Sequence, residues 1–370
     1  MGIKKSGNTA LSIHLINLHL FIMDKSYSLN FTVQYCFPGN NASCRKQVRS
    51  DPAYIFLFIF LSCISVCTVI LNLLVIISIS HFKQLHTPTN LLILSLAAAD
   101  LLVGLFGMPM KIIQLKDSCW YFGDTACSVS EIIISYAMTS SLYNLVLIAV
   151  DRYIAVSDPL HYPTRITVFL SWYFSLLYII IIFYFNDHLL QSQIITSCYG
   201  ECVVIFKYSW VIVDLVVSFL APCSVILILY SIIFNAAKRQ AKAVRAVRLA
   251  LKKHRSSNTS EIKAAKTLGL VIFVYLACWI PFYICSLSIE SMTTSSIVWT
   301  VFGWLVYINS SLNPLMYAIF YPWFRTSVNF IVSCRIFVPS SSMFNLLVSG
   351  NEVRALCNDQ PILPWYGESS

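Results

Sequence analysis

The sequence predicts an all-α membrane protein: a seven-transmembrane helix bundle with a short amphipathic eighth helix. Three observations predict it. First, 58% of the 370 residues are hydrophobic and only 11% are charged, with a mean hydropathy of +0.73. A soluble domain carries about a quarter charged residues, so this apolar surface has to face lipid. Second, the apolar residues gather into seven long runs: Tyr54–Ser80, Asn90–Leu115, Glu131–Val156, Val168–Phe185, Trp210–Phe234, Ala264–Leu287 and Val298–Tyr321. A helix needs roughly 20 apolar residues to cross a bilayer, and in lipid every backbone polar group must bond within its own segment. Third, the formal charge of +9 is concentrated between the fifth and sixth runs.

Taken in order, residues 1–53 form an N-terminal segment, 54–321 the membrane domain, and 322–370 an amphipathic helix and tail. The basic residues set the orientation. Lys238, Arg239, Lys242, Arg245, Arg248, Lys252, Lys253, Arg255, Lys263 and Lys266 crowd one loop, which the positive-inside rule assigns to the cytoplasm. With seven spans the N-terminus is then extracellular and the tail from about Phe324 is inside, in a multi-pass plasma-membrane protein. Sequons at Asn30 and Asn41 fall outside, where glycosylation occurs, and a third at Asn258 falls inside. Anionic lipid beside the basic loop accounts for its charge, so membrane lipid is expected as a partner and nucleic acid is not. Within the first 22 residues, Met1-Gly2-Ile3-Lys4-Lys5-Ser6 matches a myristoylation pattern on the wrong side of the membrane. Leu11–Met23 makes a poor signal peptide, interrupted by His14, Asn17 and His19. That stretch is read as disordered, or as preceding a true start at Met23.

Ionisable side chains inside spans are costly and mark function. Here they are Asp100 in the second span, Asp151-Arg152 at the inner end of the third, Asp214 in the fifth, and Glu131 near the outer end of the third. Glu261 opens the sixth helix opposite Asp151-Arg152-Tyr153. Proline inside a helix removes a backbone bond and kinks it, so Pro222, Pro281 and Pro314 supply bending points in the last three spans.

Asn72, Leu96 with Asp100, Asp151-Arg152-Tyr153, Trp172, Pro222, Cys278-Trp279-Ile280-Pro281 and Asn313-Pro314 with Tyr317 stand in the order and spacing of rhodopsin-like G-protein-coupled receptors, which the chain resembles over about residues 54–333. Leu71, where that family often has glycine, is a departure that touches local packing alone. The resemblance implies a heterotrimeric G protein as partner and a lock in which Arg152 pairs with Asp151 and Glu261. Tyr153 completes that motif, and Tyr317 helps form the G-protein site once the lock opens. It implies that Asp100, Ser141, Asn309, Ser310 and Asn313 are a polar cluster for an allosteric sodium ion; no other cofactor is expected. Cys127 with Cys202 resembles the family's common bridge. Cys36 and Cys44 are the candidate partners of Cys198, with Cys44 preferred. The remaining cysteines in the spans read as core residues. Cys334, past the amphipathic stretch Pro322–Ile331, is a candidate lipidation site.

The string from Asn309 to Phe324 resembles the fingerprint of trace amine-associated receptors. Trp304 with Tyr307 and Lys238-Arg239-Gln240-Ala241-Lys242 also resemble amine receptors. Kinship with that group implies stimulatory coupling and a role in olfaction. A desolvated ammonium needs a carboxylate, and amine receptors usually place an aspartate eighteen residues before the arginine of Asp-Arg-Tyr. Here that position is Ile134. Asp214, eight residues before Pro222, replaces it, an arrangement resembling fish-type members of the group. The expected ligand site is therefore Asp214 for the ammonium, with Ile134, Met138, Trp279, Phe282, Tyr283 and Tyr307 around the tail; ring faces also attract cations. Glu131 lies three residues before Ile134, about 60° around the helix. It faces water or a loop lysine, or gives a second ammonium contact that favours a diamine.

No metal-ligand cluster, nucleophile constellation or phosphate loop is visible, so an enzyme is not expected. The competing readings are a rhodopsin-like receptor for a non-amine ligand and a polytopic transporter. The latter calls for internal repeats or a charged pathway, which the sequence lacks.

Overall fold

A computed structural model of the chain describes residues 34–46, 52–117, 119–157, 198–202, 208–251, 259–288, 297–338, 341–344 and 346. The predicted fourth span with Trp172, the sequons at Asn30 and Asn258, and residues 1–22 lie outside the described residues. Among those described, the structure is helical, with two isolated β-bridges and no strand.

The first helix runs over Pro52–His81 and the third over Gly123–Ser157. The sixth spans Thr259–Ser288, the seventh Ile297–Phe320 and the short eighth Pro322–Val332. The second helix begins at Pro88, with Pro at its first position and the Thr87 side chain accepting a hydrogen bond from the Asn90 N–H, a pairing of N-cap and fixed φ that favours initiation. Several helices outrun the hydropathy runs. The third starts eight residues before Glu131, and the fifth continues from Phe234 through the basic residues Lys238 to Arg248, ending at Leu251. Hydropathy marks only the length immersed in lipid, whereas backbone hydrogen bonding carries a helix on into water. Lys238 sits on the exposed continuation with its ammonium 4.1 Å from the Phe234 ring centroid.

Two helices widen into single π turns. The second is α-helical over Pro88–Leu102, passes through Val103–Gly107 and resumes over Met108–Asp117. The fifth is helical over Tyr208–Asp214, passes through Leu215–Leu220 and resumes over Ala221–Leu251. The cause is the same in both. Pro109 and Pro222 each follow the wide turn by two residues, and a proline ring clashes with the carbonyl four residues before it. Those carbonyls, of Leu105 and Ser218, fall inside the π turns. The extra residue per turn relieves the clash and rotates the outer part of each helix. In the seventh helix the carbonyl left without a partner by Pro314 is that of Ser310, and Asn72 Nδ2 donates to it at 3.1 Å.

Among the described residues five helices are long and apolar enough to cross a membrane, and the second and third are the most enclosed of them. The third packs between the second and the fifth, while the seventh packs against the sixth and first. Phe56, Ile228, Phe273 and Ile319 are each more than half exposed on the outside of the bundle. Such a belt of large apolar side chains is a lipid-facing surface. Cys63 and Cys67 belong to that surface and are not core residues, contrary to the expectation from sequence; Cys223, Cys278 and Cys285 are buried. The expectation failed because the first helix packs on one side only.

Candidate functional site

Three disulfides tie the end of the bundle remote from Arg152. Cys127, near the start of the third helix, pairs with Cys202, and Cys44 pairs with Cys198. Cys36 pairs with Cys119, just past the second helix, a bridge the sequence reading missed. Parity could have found it, since six cysteines flank that end. Residues 34–46 form a small knot above the bundle. The Cys36 N–H donates to the Cys44 carbonyl at 2.9 Å, and the Cys44 N–H to the Tyr199 carbonyl at 2.9 Å. Gly200 takes φ +98°, and an added Cβ there would lie 2.8 Å from Phe37 Cε2, so only glycine fits. Asn41 is exposed on the turn of this knot.

Below the knot the predicted ligand residues divide into two groups. On the fifth–sixth side the Tyr283 hydroxyl donates to Asp214 Oδ2 at 2.9 Å. Tyr283, Trp279 and Tyr275 recur every four residues on the sixth helix, one face of which they form. Their rings stack at 5.6 Å and 5.9 Å, and Phe282 meets Trp279 edge-on at 6.1 Å. Phe219 completes the cluster at 4.8 Å from Tyr283. Sequence reasoning named neither Phe219 nor Tyr275. Phe219 lies five residues after Asp214, and it is the π turn between them that brings both to one side. The Trp279 indole N–H is buried without a hydrogen-bond partner among the described residues.

On the second–third–seventh side Ile134 and Tyr307 are buried with Trp304, Met108 and Ile112, and Met138 packs against them. Trp304 and Tyr307 lie 5.5 Å apart. Gly107 permits this closure, because an added Cβ would stand 3.2 Å from Tyr307 Cε1 and 3.3 Å from Ile134 Cγ1. Glu131 is bonded to Lys111 of the second helix at 2.6 Å.

Deeper, Asp100 is fully buried. It accepts hydrogen bonds from Ser141 Oγ at 2.9 Å and Asn313 Nδ2 at 2.8 Å, and also from Ser310. Asn309 is buried beside Ser310 in sequence, and Asn72 Oδ1 is buried without a partner among the described residues.

At the opposite end Arg152 donates to Asp151 Oδ2 through Nη2 at 2.7 Å and Nε at 3.1 Å. Thr89 Oγ1 donates to the same oxygen at 2.6 Å and also contacts Arg152 Nη2. Tyr153 is partly buried next in the chain, and Tyr317 is buried with its ring 6.0 Å from Tyr321. A crevice of about 420 Å³ opens here, lined by Thr89, Ile148, Arg152, Val271, Tyr317 and Tyr321 among others. Glu261 lies in the sixth helix, but its side chain is outside the described residues. Cys334 is exposed just past the eighth helix in the left-handed conformation, φ 57°.

A bundle closed by disulfides at one end and opened into a crevice around a paired arginine at the other has the form of a signal-transmitting receptor. Comparison with known proteins agrees. The family described as 7 transmembrane receptor (rhodopsin family) matches residues 71–317. The chain is 41% identical over 327 residues to trace amine-associated receptor 13c of Danio rerio, covering 85% of this chain and 96% of that protein. It is 39% identical over 344 residues to trace amine-associated receptor 6 of Pan troglodytes, covering 88% and 99%. Against trace amine-associated receptor 8b of Rattus norvegicus it is 39% identical over 334 residues, covering 85% and 97%. The chain belongs to the rhodopsin family of seven-transmembrane, G-protein-coupled receptors and, within it, to the trace amine-associated receptors.

Proposed function

We propose that the chain senses extracellular amines, with the ligand ammonium paired to Asp214 on the fifth helix. The observation that carries this reading is the Tyr283–Asp214 hydrogen bond above an aromatic floor of Phe219, Trp279 and Phe282. It supplies a half-buried carboxylate with ring faces beside it, which is what a desolvated ammonium with an apolar tail requires. Ile134, where a third-helix acid would stand, is buried against Tyr307 and Met138, so the tail end of the pocket is apolar. The names of the relatives point to the same ligand class.

Signalling follows from the connections below Asp214. An ammonium that draws Asp214 changes the bond to Tyr283 and so biases the sixth helix, whose Trp279 indole N–H has no hydrogen bond among the described residues and whose Pro281 is a hinge. Outward movement of that helix would widen the Arg152 crevice for a stimulatory G protein. The Asp151-Arg152 pair with Thr89, joined by Tyr153, Glu261 and Tyr317, is read as the switch. Asp100, Ser141, Asn309, Ser310 and Asn313 would hold a sodium ion. The fit is chemical: they offer one carboxylate and neutral oxygens, and Asn72, whose Nδ2 bonds the Ser310 carbonyl, has its Oδ1 buried without a partner among the described residues. The bridges Cys127–Cys202 and Cys44–Cys198 would lie outside the plasma membrane with glycosylated Asn30 and Asn41. Cys334 is the proposed lipid attachment site, and olfaction the proposed setting.

The test is a concentration–response series with monoamines on cells expressing the receptor at matched surface levels. Asp214→Ala abolishes the amine responses if the reading holds. Intact responses in that variant defeat it.

A further inference from the structure

The Glu131 carboxylate does not stand alone on the third helix. Lys111 Nζ lies 2.6 Å from Glu131 Oε1, and each side chain is about three-quarters covered, at 27% and 26% exposure. Lys111 comes from the second helix and not from a loop. The pair also has a definite place. Lys111 follows Gly107 by four residues, and Glu131 precedes Ile134 by three, so each stands one helical turn above its neighbour on nearly the same face. Gly107 lies against both Ile134 and Tyr307, as the distances from an added Cβ show, and those two side chains belong to one buried cluster. The ion pair therefore stands one turn above the apolar closure of the second–third–seventh side, whereas Asp214 on the fifth helix is bonded to Tyr283 of the sixth.

From this the geometry points to the Lys111–Glu131 pair as the element that makes the receptor select monoamines over diamines. The inference rests on the amine reading above. A diamine held at Asp214 sends its second ammonium toward the far side. There it meets Ile134 and the ring of Tyr307, whose face attracts a cation more weakly than a carboxylate does. The acid that could receive it is already neutralised by Lys111, and the lysine charge repels the newcomer. Specificity of this kind comes from a repulsive element as much as from an attractive one. An apolar tail, by contrast, loses nothing against Ile134, Met138 and Tyr307.

The experiment compares n-alkylamines of four to eight carbons with α,ω-diamines of the same lengths, at matched surface expression. The wild type responds to the monoamines at lower concentration. Lys111→Met, which removes the cation and leaves Glu131 able to accept an ammonium, shifts the diamine-to-monoamine potency ratio toward diamines by about tenfold, the scale of one charge interaction in a partly screened site. Lys111→Met with Glu131→Gln returns the ratio to within about threefold of wild type, because the acceptor is gone. Lys111→Gln gives the same shift should the methionine variant fail to reach the surface. A wild type that prefers diamines, a ratio unchanged in the Lys111 variants, or a gain that persists in the double variant overturns the inference. Failure of the amine reading shows separately, as responses that survive Asp214→Ala, and takes the inference with it.

Discussion

Tyr283→Phe removes one oxygen and leaves the ring that stacks on Phe219 and Trp279, so it isolates the hydrogen bond to Asp214. At 2.9 Å that bond joins a phenol to a carboxylate, a charge-assisted pair. Such bonds contribute about 1.5–3 kcal/mol when buried. Asp214 is half-buried, so the lower end, about 1.5 kcal/mol, is the appropriate figure. Without the hydroxyl, the carboxylate is no longer held in one orientation, and an arriving ammonium must order it. Amine potency therefore falls by about tenfold. The assay is a double-mutant cycle in monoamine potency across wild type, Tyr283→Phe, Asp214→Asn and the pair. In the Asp214→Asn background, where the ion pair is already lost, Tyr283→Phe should cost less than about threefold. Equal costs in both backgrounds, or no cost in wild type, would refute the view that Tyr283 acts through Asp214.

Three further outcomes follow from other parts of the bundle. Asp100→Asn should remove the dependence of agonist affinity on sodium concentration, measured by radioligand binding; an agonist affinity that stays as sodium-sensitive as wild type rules out the ion site. Asn72→Ala strips the donor from the Ser310 carbonyl that Pro314 leaves unpaired, at a cost of about 1–3 kcal/mol. A thermal-shift measurement in detergent should show the melting temperature lowered by several degrees. Cys36→Ser and Cys119→Ser should reduce surface expression equally, and the double variant no further, since one bridge is lost in each case.

The receptor class and the position of Asp214 were legible in the sequence, because landmark residues in fixed order along single helices need no knowledge of packing. Neighbours across helices were not legible. Glu131 was expected to face water or a loop lysine, and its partner is Lys111 of the second helix. Phe219 was overlooked because ordinary helical spacing turns it away from Asp214, whereas the π turn brings it round. Pro109 was not among the prolines singled out in the sequence, and the wide turn at Val103–Gly107 shows what it does. Cys63 and Cys67 looked like core residues by type alone.

By itself, then, the sequence determined that the chain is a helical membrane protein and that its fifth helix carries Asp214 while the usual third-helix acid position is Ile134. Transfer of a segment into lipid is a sum over its own residues, so composition and order suffice. What the tertiary structure decided is which side chains meet. The disulfide partners, the Asn72–Ser310 and Tyr283–Asp214 bonds, and the Lys111–Glu131 pair all depend on how far one helix is rotated against another. That rotation is set by wide turns, close-packed glycines and the burial of neighbouring faces, none of which is a property of one segment alone.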